Sequence, residues 1–129
     1  MKKFFIIVIL LLFTSCVKQE LGSESFLSGT EWIAVDGDTS IGLKFYNSNE
    51  VSFFVSSGAA VNTAYGTYEY LSSIKKISFN GVYFYDRTTY QHLLELKGGQ
   101  IIDKNTMKIS YWYNINNESG IEEECLYKK

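Results

Sequence analysis

Few residues in this chain of 129 could do chemistry, and they are scattered along it. A cysteine acts through its thiolate, which nearby negative charge disfavours. Cys125 follows Glu122-Glu123-Glu124, so it reads as a small apolar filler on a terminal strand. His92 is the one histidine, which excludes a His-Glu-x-x-His helix and a three-histidine zinc site. It shares a strand face with Leu94 and Leu96, the setting of a hydrogen-bonded structural histidine. Neither a Gly-x-Ser-x-Gly elbow nor a phosphate-binding glycine loop occurs. Asp36-Gly37-Asp38 lacks the further acidic ligands that a calcium loop needs, and reads as a turn. The three glutamates alternate across a strand, do not converge, and read as a solvated edge. The expectation is a protein without catalytic residues, metal or cofactor.

Cys16 is different because of what precedes it. Lys2 and Lys3 are followed by ten apolar residues, Phe4 to Phe13. Ten is too few to span a bilayer, which takes ~20, but suits a secretory signal. Two small residues then lead to the cysteine, and Phe13-Thr14-Ser15-Cys16 resembles the lipobox of bacterial lipoproteins. The resemblance implies a diacylglycerol on the Cys16 thiol, cleavage just before it, and acylation of the new amine by a chain such as palmitate. It divides the chain into a signal peptide (1–15), a flexible polar tether (16–28) and a domain (29–129). The expected location is the bacterial cell envelope, anchored by lipid at the outer membrane. Lys18-Gln19-Glu20 leaves the choice of periplasmic or surface face open. Each buried methylene contributes about 0.8 kcal/mol, so two or three acyl chains hold a small domain nearly permanently.

Removing 15 of the 129 residues leaves 114, enough for one domain with one core. Taking Lys2 and Lys3 from the 12 basic residues leaves ten against 14 acidic ones, a net charge of −4. The only arginine is Arg87 and the lysines are scattered, which argues against a nucleic-acid partner. With Cys16 lipidated, Cys125 has no disulfide partner.

Any site must be positioned by strands. The chain has no proline, is rich in Thr, Val, Ile and aromatics, and alternates apolar with polar residues. Ile41, Leu43 and Phe45 share one face, as do Val51, Phe53 and Val55. Thr63 to Tyr70 is strongly β-forming with a bend or bulge at Gly66, and the period returns in Ile77 and Phe79, in Leu94 and Leu96, and in Met107, Ile109, Tyr111 and Tyr113. Turns are read at Asn47-Ser48-Asn49, Ser57-Gly58, Leu71-Ser72-Ser73, Gly98-Gly99, Asp103-Lys104-Asn105 and Asn116 to Gly120. Asn80-Gly81 suits a two-residue hairpin, but the reversal can equally fall at Asp86-Arg87-Thr88, so the count is eight or nine strands. Outside the first 15 residues no stretch has a helical period. The fold class is all-β: an antiparallel up-and-down meander, closed into a barrel because closure removes its edges.

Leu27-Ser28-Gly29-Thr30-Glu31-Trp32 resembles the Leu-x-Gly-Thr-x-Trp opening of small secreted lipoproteins and, with one residue more between glycine and tryptophan, the Gly-x-Trp opening of lipocalin-like barrels. That resemblance implies a tryptophan closing the base of the barrel beneath a ligand cavity. Tyr65, Tyr68, Tyr70, Tyr111, Trp112 and Tyr113 are aromatics that can serve either a cavity or an outer surface. Trp32, Phe45, Phe53, Tyr68 and Tyr111 are taken as the candidate ligand-lining residues. Partners follow in two classes. One is a small apolar ligand inside the barrel; the other is a glycan or protein on its outside, including a protease to be inhibited.

Overall fold

The computed structural model describes residues 23, 25–86, 88 and 91–129, and for 86, 91 and 92 the backbone alone. The signal peptide, Cys16 and Lys18-Gln19-Glu20 lie outside the described residues, as does the side chain of His92.

Nine antiparallel strands make up the domain: β1 (Glu31–Asp36), β2 (Thr39–Phe45), β3 (Glu50–Ser57), β4 (Ala60–Leu71), β5 (Lys76–Asn80), β6 (Tyr83–Asp86), β7 (Gln91–Asp103), β8 (Thr106–Ile115) and β9 (Glu118–Lys128). They hydrogen-bond in the order β5-β4-β3-β2-β1-β9-β8-β7-β6, and β5 also pairs with β7. That last pairing closes an eight-stranded barrel. The remaining strand, β6, is a continuation of β5. Lys76, Ile77 and Ser78 face Gln100, Gly99 and Gly98 of β7, and Tyr83 and Phe84 then face Glu95 and Leu94 along the same edge. Between them the Val82 carbonyl accepts from the Leu96 amide at 2.9 Å. Asn80-Gly81 is therefore a break within one long strand, with Gly81 at φ +71°, and the chain reverses only after Asp86.

Local chemistry sets the tight turns. Gly37 and Gly58 each take φ +60° at the first position of a two-residue loop, joining β1 to β2 and β3 to β4. Asn116 and Asn117, at φ 55° and 64°, join β8 to β9. The Asn47 side-chain oxygen accepts from the amides of Asn49 and Glu50, holding the β2–β3 turn. Gly98-Gly99 is a difference from the sequence reading, because β7 runs straight through it with a register shift between Leu96 and Gly98. A side chain at 99 would meet Ile77 Cδ1 at 3.2 Å, so the glycine admits the packing of β5 and does not end the strand.

The core fills one end of the barrel, here the base. Trp32, Leu43, Phe45, Val51, Phe53, Ile101, Met107, Ile109 and Leu126 are fully buried there. Phe45 meets Tyr68 edge to face at 4.7 Å, and the Tyr68 hydroxyl donates to the Asn47 carbonyl. A plug seals the end. Phe26 and Leu27 are buried, the Phe26 ring 6.1 Å from both Trp32 and Tyr70. The Gly29 amide donates to the Phe45 carbonyl, and the Trp32 indole N–H donates to Thr30 Oγ1 at 2.8 Å. Among the described residues the packed unit thus includes Phe26 and Leu27, which the sequence assigns to the tether. Two apolar side chains bury surface there that a solvated leash would leave wet.

Candidate ligand-binding cavity

Among the described residues nothing fills the other end of the barrel. Alternation in each strand carries one face from base to mouth, and the residues on it change character on the way. Along β2 and β3 the inward positions go from Phe45 and Val51 through Leu43 and Phe53 to Ile41 and Val55. Along β1 they go from Trp32 to Ala34. Smaller side chains near the mouth leave a cavity of about 610 Å³, walled by Ala34, Ile41, Val55, Leu94, Tyr111, Tyr113, Glu122 and Glu124, with Asp36, Thr39 and Ile115 at its rim. Such a volume lies within the range of small-molecule sites, roughly 300–1,000 Å³.

Its floor is aromatic. Phe53 lies 5.5 Å from Phe84 and 6.3 Å from Tyr111, centroid to centroid, and divides the cavity from the packed base. Tyr113 lies across Gly120, where a Cβ would approach its hydroxyl to 3.1 Å.

One wall is acidic. On β9, Leu126 faces Met107, Glu124 faces Ile109, and Glu122 faces Tyr111. Met107, Ile109 and Tyr111 point inward, so Glu122 and Glu124 do as well. The reading of all three glutamates as a solvated edge is corrected here: only Glu123 is on the outer face, where Lys108 pairs with it at 3.3 Å. Burial raises the Tyr111 phenol above its ordinary 10.0, and the charges of Glu124 and Glu122, with Tyr113, raise it further. Counting back by twos from Leu126 would have revealed this face; the run of three like charges obscured it.

The five candidate lining residues divide between the two ends. Tyr111 lines the cavity, while Trp32, Phe45, Phe53 and Tyr68 are buried at or below its floor. Among the other aromatics, Tyr70 is buried in the base, Tyr113 is in the cavity, Trp112 is half-buried, and Tyr65 is exposed on the outer wall. Leu94, Ile41 and Val55 belong to the strand faces that periodicity marks. Cys125 is exposed on β9 and does not fill the core. Asp36-Gly37-Asp38 forms the β1–β2 hairpin, and among the described residues no three His, Cys, Asp or Glu side chains gather as metal ligands would. His92 pairs through its backbone with Tyr85.

No family model, curated protein or solved structure matches the chain.

Proposed function

We propose that this is a lipid-anchored binding protein of the bacterial cell envelope, tethered through Cys16, which holds a small, largely apolar ligand in the mouth of its barrel and acts without catalysis. The observation that carries the reading is the unequal filling of the barrel: a sealed base beneath a cavity of about 610 Å³ with an apolar wall. The tether supports it. Phe26 enters at the base, so the chain from Cys16 joins the barrel at the end away from the mouth. Lys75, Lys76, Lys104, Lys128 and Lys129 also cluster at the base end of the strands, where an anionic leaflet would attract them.

Two measurements test it. The Cys16→Ser change should move the protein from the membrane fraction to the soluble one, and the wild-type amino terminus should be blocked at residue 16 with added acyl mass. Native mass spectrometry of the intact protein, with titration of a fluorescent apolar probe, should give one saturable site per chain. If nothing co-purifies and the probe fails to bind below roughly millimolar, an affinity worth only ~4 kcal/mol, the carrier reading is lost.

A second reading rests on a different observation. β5 pairs with β4 up to Asn80 opposite Thr67, and then veers away as β6. Among the described residues no strand pairs with Ala60–Gly66 on the side away from β3. Val61, Tyr65, Tyr83 and Tyr85 are exposed along this split. An open strand edge flanked by aromatics suits an extended protein segment added as a further strand, the interaction-module alternative. Tyr65→Ser with Tyr85→Ser would abolish that activity and leave cavity binding intact.

A further inference from the structure

The cavity wall says what kind of ligand would be held. Resting on the carrier reading above, we infer that the barrel mouth selects an organic cation: a small molecule with an apolar body and a protonated amine.

The two walls ask for different things. Ala34, Ile41, Val55 and Leu94 offer only apolar surface, which favours a hydrocarbon or aromatic body. Among them, on the strand between β1 and β8, Glu122 and Glu124 stand two residues apart on the same face of β9, about 7 Å by the rise of a strand. Tyr111 lies directly across from Glu122 on that face and joins the two walls. Its ring can take the edge of the apolar body, or the face of a cation.

Charge balance gives the sign. Glu123, between the two, has Lys108 as its partner on the outer face. Glu122 and Glu124 have no cation within ion-pair distance among the described residues. Asp36 at the rim adds a third carboxylate, and the described lysines are at the middle and base of the barrel. The rise of the Tyr111 phenol is the same field felt by a group already in place. Among the described residues no cation faces the carboxylates on this side of the cavity, and such charge beside a low-dielectric wall concentrates cations and repels anions. A fatty acid would bring its carboxylate to this acidic wall, so the apolar ligand expected here is not an anionic one.

Three water-soluble probes share one phenyl body and differ in the head: 2-phenylethylamine, 2-phenylethanol and 3-phenylpropionate. Each is titrated calorimetrically into the intact protein in zwitterionic detergent, with a protein-free blank. The amine should bind at one site per chain at least tenfold more tightly than the alcohol, and the carboxylate more weakly than both. Glu122→Gln with Glu124→Gln should remove the preference for the amine over the alcohol. Glu122→Gln alone, at an exposed position, should reduce it in part. Glu123→Gln makes the same charge change on the outer face and should leave the ratio unaltered. Equal binding of the three probes, or tightest binding of the carboxylate, overturns the cation inference and leaves the carrier reading standing. Binding of none of them overturns both.

Discussion

From base to mouth, the inward residues of β9 are Leu126, Glu124, Glu122 and Gly120, and those of β2 are Phe45, Leu43, Ile41 and Thr39. The same strands therefore build two regions with different duties. At the base, large side chains interdigitate and a plug of Phe26 and Leu27 keeps water out. At the mouth, side chains shrink or acquire charge, and a space remains. Stability is concentrated in the first region, which leaves the second free to carry groups that do little for folding. Carboxylates at the mouth, Glu122 exposed and Glu124 half-buried, are tolerable because the base has already supplied the apolar burial.

The largest effect should come from breaking the base. Trp32 has no exposed surface and is held by Phe26 and by its hydrogen bond to Thr30. Trp32→Ala should cost about 3–5 kcal/mol in urea melts, the range for deleting a buried aromatic. At the mouth, Val55→Ala removes a half-buried side chain beside an existing cavity and should cost about 1 kcal/mol. Equal costs at the two positions would remove the distinction between a stabilising base and a mouth that contributes little to folding.

Much of this was legible in the sequence, for a physical reason. Alternation with period two is a local property, so the strands around Leu43, Phe53, Leu96 and Ile109 could be read directly, though not which face turns inward where both are apolar, and a meander with short turns leads to a closed barrel. Where the barrel fills and where it opens depends on which inward residues share a level, and that is set by strand register. No single strand carries that information. For the same reason Tyr68 and Phe45 pack together in the base while Tyr111 reaches the cavity, although all three look alike in their strands. Asn80-Gly81 has the composition of a hairpin, yet β7 pairs with both segments it separates, so the turn propensity is spent on a kink. Glu122 and Glu124 were hidden by Glu123, because like charges in sequence suggest solvent until the cross-strand partners are known.

A smaller effect should come from the level at which the barrel splits. Gly66 lies where β5 turns into β6, and a Cβ there would be 2.6 Å from the Asn80 carbonyl oxygen and 3.0 Å from the Gly81 carbonyl carbon. Backbone atoms cannot rotate aside as a flexible side chain would. Gly66→Ala should cost about 1–3 kcal/mol, the range for overpacking a well-fitted site. A neutral result in the same urea melts would mean that β4 and β6 already part below Gly66, so that the opening extends further towards the base.

The smallest effect is a titration, and it tests the boundary between the halves. Tyr68 and Tyr70 in the base have phenols raised above 10.0 by burial alone. Tyr111 is raised by burial first and then by Glu124, Glu122 and Tyr113. In each case the folded chain keeps its proton longer than the unfolded chain does. The stabilisation is therefore complete below pH 10.0 and is lost as pH rises through the higher folded values. Ultraviolet titration of phenolate, taken as the difference between wild type and Tyr111→Phe, isolates the one residue. In the Glu122→Gln, Glu124→Gln background its midpoint should fall towards the ordinary value, with those of Tyr68 and Tyr70 unmoved. A Tyr111 midpoint that ignores the two substitutions would mean that the carboxylates are turned out to solvent, and the mouth would then differ from the base in space alone.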